Sequence, residues 1–240
     1  MREINYRRKI KVKKRKRLKR KLMRMALILM LILLLGIAGI LGYFTIGTIR
    51  QMFFNQVDIV IDAGHGGKDP GANRDDAIEK EITLEVAKIT KTLLEESDYK
   101  VGMTRESDDY IELGNRSKIA NERNAKVFVS IHCNSSEDDE GKGIETYYTE
   151  QKGLEDEVLA KMIQKSLIKQ TDANDRGIKV ANYTVIVRSS MPAVLVEVGF
   201  LTDREENELL QNEEYQRKLA KGISEGIKKY LQSLEVISSF

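Results

Sequence analysis

Apolar and polar residues follow two different periods along residues 57–234. Short β-branched runs bounded by turn residues predict strands at Val57–Ile61, Val101–Thr104, Val127–His132, Ile144–Tyr148, Thr184–Val187 and Ala193–Val198. Between them apolar residues recur every three or four positions, the spacing of a helix face. Glu79–Ser97 places Ile82, Val86, Ile89 and Leu93 together, and Leu113–Asn124 and Glu155–Thr171 behave similarly. Tyr215, Leu219, Ile223, Ile227, Tyr230 and Leu231 mark a long last helix, and Asp203 with Glu206 three residues on predicts a helix start ahead of it. This alternation predicts an α/β domain with a mostly parallel sheet flanked by helices. In such sheets function gathers beyond the carboxyl ends of the strands.

Charge divides the chain differently. Residues 1–24 carry 14 Lys/Arg against Glu3 alone, a net of +13; residues 25–49 carry no charge; the remainder carries 26 basic and 36 acidic side chains, a net of −10. The run MALILMLILLLGIAGILGYFTIGTI is longer than the roughly 20 residues that cross a bilayer as a helix. It is also longer than the core of a cleavable signal peptide. The expectation is therefore one transmembrane helix before the α/β domain, in a single-pass cell-membrane protein. Lys/Arg before the run keep the amino terminus cytoplasmic and send the acidic remainder outward. The expected layout is a basic cytoplasmic segment 1–24, an anchor 25–49, a linker 50–56, a catalytic domain 57–234 and a tail 235–240. Beside such an anchor the basic block reads as a topology signal, with no nucleic-acid partner.

Composition narrows the chemistry. Cys133 is the one cysteine, which excludes a disulfide framework; its place in a strand reads as a small buried residue rather than a nucleophile. Histidine chemistry is confined to His65 and His132. The first follows the first strand in Asp62-Ala63-Gly64-His65-Gly66-Gly67, a loop that lacks the spacing of a phosphate loop. The second ends Val127-Phe128-Val129-Ser130-Ile131-His132-Cys133-Asn134, where alternation sets Ser130, His132 and Asn134 on one face. Glu79 opens the next helix, and Glu197 interrupts the apolar run Ala193–Val198. A carboxylate there is costly unless it is paired with a cation such as an arginine or a metal. Two imidazoles and one carboxylate make a catalytic zinc set with a fourth position left open, and a further carboxylate can take a proton from water and return it to a leaving amine.

In order, DAGHGGKDPGA, IEKEITLEVAK, TRESD, NRSKIAN, VFVSIHCNSS, GIETYY and MPAVLVEVGFLTDREENELL resemble the zinc-dependent N-acetylmuramoyl-L-alanine amidases of bacterial cell-wall turnover. Together the seven pieces span roughly residues 57–231. The resemblance implies one Zn2+ held by His65, Glu79 and His132, with Glu197 as the catalytic carboxylate. It selects Glu79, the glutamate immediately before a lysine, over Glu81, which faces another direction on a helix. Asn134 and Arg116 are expected to bind substrate or support the site. The implied reaction is hydrolysis of the peptidoglycan amide joining the lactyl group of N-acetylmuramic acid to L-alanine. The short connections Asp69–Glu79 and Tyr148–Leu154 leave no room for a blocking helix, so the site is expected to be open unless a partner covers it; whether a protein activator exists is unknown. Another zinc peptidase or a deacetylase acting on the same polymer, or an inactive wall-binding protein, are the competing functions.

Overall fold

The computed structural model describes residues 56–137 and 141–238, together with scattered positions between 14 and 40. The chain divides into two compact units, Met1–Asn55 and Gln56–Phe240. In the second, six strands form one sheet: β1 (Ile59–Ala63), β4 (Val101–Met103), β5 (Val127–Asn134), β6 (Ile144–Tyr148), β7 (Asp175–Val180) and β8 (Ala193–Phe200). Their order is β4-β1-β5-β8-β6-β7. Every pairing is parallel except β6 with β8, so the mostly parallel α/β sheet agrees with the sequence pattern. A two-stranded hairpin, β2 (Asn73–Arg74) and β3 (Ala77–Ile78), follows β1.

Helices α1 (Glu79–Glu95), α3 (Leu154–Thr171) and α6 (Glu213–Ser238) cover one face. They enclose the larger core with Ile59, Ile61, Val129, Ile131, Val194 and Val196. Central strands covered on both sides need apolar residues at successive positions, and β1 is buried at all five. In α6, Tyr215, Leu219, Ile223, Ile227, Tyr230 and Leu231 are buried as their spacing predicts. Gly226 lets α6 approach α3 closely, because a Cβ there would lie 2.5 Å from the Cα of Ile163. Helices α2 (Leu113–Glu122) and α4 (Thr184–Val187) cover part of the opposite face, over Val60, Phe128 and Leu195. Helix α5 (Arg204–Leu210) is capped by Asp203, whose carboxylate accepts the Glu206 N–H at 2.9 Å.

The sequence expectations need three corrections. Thr184–Val187 is a helical turn rather than a strand: its amides bond back to Tyr183 O and its apolar side chains Val185 and Ile186 plug the smaller core. Strand β7 was not anticipated, because Asp-Arg-Gly-Ile-Lys-Val is polar and lies on the sheet edge. The transmembrane helix is overturned. No helix among the described residues is long and apolar enough to cross a membrane. With it fall the single-pass membrane location and the partnership with a membrane through an N-terminal spanning helix. Much of the apolar run 25–49, and most of the basic segment 1–24, lie outside the described residues.

Candidate metal and catalytic site

The site forms where β1, β5 and β8 end, the location a parallel sheet favours. A fully buried polar frame fixes the end of β1. Asp62 accepts hydrogen bonds from Thr104 Oγ1 and Ser130 Oγ, both at 2.6 Å, and from Arg116 Nη1 at 2.9 Å. Burial works to raise its pKa, but Arg116 and the two hydroxyls prevail and hold it below the ordinary value. Arg116 also donates to Ala63 O, Ile111 O and His65 O. Arg105 donates to Ala63 O, Gly64 O and Lys80 O. Two guanidiniums thus fasten the loop carbonyls, and His65 is held at a φ of 57°, a left-handed conformation uncommon for any residue but glycine.

His65, Glu79 and His132 converge. Glu79 Oε1 lies 3.1 Å from His65 Nε2 and 2.9 Å from His132 Nδ1. One ligand atom from each of the three lies within 4.8 Å of the others, a group that could hold a metal ion. Glu79 is aimed by backbone donors: Cys133 N–H reaches Oε1 at 3.0 Å and Ala72 N–H reaches Oε2 at 2.8 Å. Glu81 is exposed and takes no part. Burial opposes the charge on Glu79, yet the two histidines draw its pKa down to about 2. Burial likewise opposes charging of His65, while Glu79 and Asp69 together raise its pKa. Glycines let the backbone come this close. A Cβ on Gly64 would lie 2.5 Å from the His132 ring, and one on Gly71, at φ +68°, would lie 2.5 Å from Glu79 Oε2.

Glu197 stands beside His132 across the β5–β8 pair. Just beyond, the register shifts between His132 and Asn134, the kind of irregularity that re-aims side chains near a site. Glu197 Oε2 is shut off from solvent and has no hydrogen-bond partner among the described residues. Burial raises its pKa to about 7; the His132 charge opposes this, and Glu79 and Glu145 add to it. The linkage has a definite sign. A carboxyl whose folded pKa stands near 7, against an ordinary 4.5, binds its proton more tightly in the folded state. Its contribution is complete below about pH 4.5 and disappears as pH rises through 7. In the metal-free protein, Glu197→Gln should therefore gain about 3 kcal/mol relative to wild type between pH 4.5 and pH 8. Chemical denaturation at the two pH values measures the difference; an equal gap at both would remove Glu197 as a strained acid.

Of the residues expected to support the site, Arg116 is 2% exposed and touches the His65 carbonyl, which leaves it unable to reach substrate directly. Asn134 donates from Nδ2 to Glu145 Oε1 at 2.8 Å and does not join the converging trio. Cys133 is buried, and burial pushes its thiol well above the ordinary range, in keeping with a packing role. Sequence reasoning missed two carboxylates. Asp69 accepts from His65 Nδ1 at 2.9 Å and fixes that ring. Glu145 lies on β6 opposite Glu197. An acidic residue inside the strand Ile-Glu-Thr-Tyr-Tyr carries the same signal that singled out Glu197. The imidazoles of His65 and His132 remain 24% and 17% exposed, so solvent reaches the site.

A family model described as N-acetylmuramoyl-L-alanine amidase matches residues 59–229. The uncharacterized protein YqiI of Bacillus subtilis is 38% identical over 173 residues, covering 72% of this chain and 84% of that protein. A sporulation-specific N-acetylmuramoyl-L-alanine amidase of the same species is 35% identical over 185 residues, covering 76% of this chain and 71% of the relative. The crystal structure of an N-acetylmuramoyl-L-alanine amidase from Clostridium difficile 630 superimposes with a TM-score of 0.72 at 38% identity, over 75% of this chain and 98% of that one.

Proposed function

The chain belongs to the N-acetylmuramoyl-L-alanine amidase family, and we propose that within it His65, Glu79 and His132 hold one zinc ion while Glu197 carries the proton. The enzyme is a hydrolase of peptidoglycan that cleaves the amide between N-acetylmuramic acid and L-alanine. Family membership selects the lactyl–alanine amide over the N-acetyl amide of a deacetylase, the peptide bonds of a peptidase and the inactive-scaffold alternative. We assign the catalytic domain to residues 57–234, with peptidoglycan as its partner.

The observation that carries the metal assignment is the convergence of two imidazoles and one carboxylate at the strand ends. That donor set fits zinc with a fourth position open. A zinc ion there would polarise the scissile carbonyl and make a water acidic near neutral pH. The remaining work belongs to the chain. Glu79, fixed by the Ala72 and Cys133 amides, supplies the negative ligand. Asp69 accepts the Nδ1 proton of His65 and so presents Nε2 to the metal. Arg116 keeps the His65 backbone in its strained conformation. Glu197, whose Oε2 has no hydrogen-bond partner among the described residues, takes the proton of the attacking water. It then returns that proton to the departing L-alanine nitrogen, which must leave as an amine.

The test is digestion of isolated peptidoglycan by the purified full chain. Chelation should abolish release of stem peptides that begin with a free L-alanine amine, and added zinc should restore it. Undiminished digestion after the metal is shown to be gone would remove zinc from the mechanism.

A further inference from the structure

A row of side chains continues the site toward the sheet edge. Glu145 of β6 stands opposite Glu197 of β8, so the two carboxylates share a sheet face. Glu145 is 1% exposed. Four donors close on it: Asn134 Nδ2 at 2.8 Å, Tyr147 OH at 2.6 Å, Arg176 Nε at 2.6 Å, and Lys179 Nζ. Both cations come from the edge strand β7, where Lys179 pairs with Tyr147. One carboxylate among two cations leaves a unit of positive charge beside the catalytic glutamate, more than neutralising Glu145 requires. The charge faces outward, since the Arg176 and Lys179 side chains are 33% and 37% exposed. Arginine has five N–H groups and lysine three. Arg176 spends one on Glu145 and reaches Lys142 O only at 3.5 Å. Aromatic rings fix the heads: the Arg176 guanidinium lies 4.9 Å from the Phe200 ring centre, and Lys179 Nζ lies 5.9 Å from that of Tyr147.

We propose that Arg176 and Lys179, held in place by Glu145, form a subsite for a carboxylate on the stem-peptide residue that follows L-alanine. The proposal rests on the amidase reading of the adjacent site. Two strand spacings place β7 about 10 Å from the backbone of Glu197, and the Arg176 side chain turns back over the strand between. The carboxylate of the second stem residue lies about two residues, or ~7 Å, from the scissile carbonyl, within reach of those heads. In peptidoglycans this residue is a glutamate linked through its side chain, so its α-carboxyl is left either free or amidated. The free form accepts charge-assisted hydrogen bonds, whereas the amide NH2 presents a donor to donors. Arg176 and Lys179 thus determine specificity and lie away from the reacting atoms.

The experiment uses the zinc-loaded full chain and two soluble muramyl peptides that differ only in whether that α-carboxyl is free or amidated. Wild type should prefer the acid by about tenfold or more in kcat/KM, mainly through KM. Arg176→Gln and Lys179→Gln should each bring the ratio toward one, while Arg176→Lys, which keeps a cation on Glu145, retains the preference. Cleavage of both peptides by wild type without preference overturns the inference alone, as does an unchanged ratio in both Gln variants. Cleavage of neither at the lactyl amide overturns the amidase reading and the inference with it.

Discussion

Glu197→Gln should lower kcat on peptidoglycan about a thousandfold while leaving the bound zinc close to one per chain. The substitution keeps the shape and burial of the side chain and removes its ability to accept a proton. Positioned acid–base groups contribute ~100–10,000-fold, and this residue is assigned two transfers, from water and to the amine. Its Oε2 has no hydrogen-bond partner among the described residues, so the amide breaks no existing bond at that atom. Stripped of metal, the variant should also be the more stable protein above pH 7, because the wild-type carboxylate is buried against its own solvation and beside Glu79 and Glu145. Lost activity together with gained stability is the signature of a strained catalytic group. Turnover within tenfold of wild type would remove Glu197 as the proton carrier.

Glu79→Gln and Glu81→Gln should separate cleanly. The first removes the charge from the one carboxylate that meets both imidazoles, and zinc affinity should fall at least about a hundredfold, the upper end of what loss of an outer-shell partner costs. Activity at limiting zinc should fall in parallel. Glu81 points to solvent from the same helical turn, and its substitution should leave zinc affinity within about twofold of wild type. Competition with a chelator of known affinity measures both. Wild-type affinity in Glu79→Gln would mean that the metal is held elsewhere.

Much of this was legible in the sequence because several signals pointed the same way. Strand β5 shows it best. Its short run rich in β-branched residues read as a strand, and alternation put Ser130, His132 and Asn134 on one face; the pairing with β8 then sets Glu197 beside His132. The helix period of α6 identified its buried face residue by residue. What failed lacked a local signal, or carried a misleading one. Thr184–Val187 has the composition of a strand, yet its four residues serve as a plug between Tyr183 and the smaller core. Strand β7 has a polar sequence because one side of it meets no further strand, so its position is set by pairing with β6. Asp69 and Glu145 were hidden for another reason: each matters through a contact that only the fold creates, with the His65 ring in one case and with β7 in the other. The apolar run at residues 25–49 misled in the opposite sense, since hydropathy alone predicted a bilayer span for which no described helix is long enough.

The account is tested most directly by the mass spectrum of the peptidoglycan digest performed in H2 18O. It predicts one heavy oxygen in the lactyl carboxylate of N-acetylmuramic acid and an unlabelled peptide that begins with a free L-alanine amine. Release of acetate, or heavy oxygen in a peptide carboxyl with the lactyl–alanine amide intact, would contradict it.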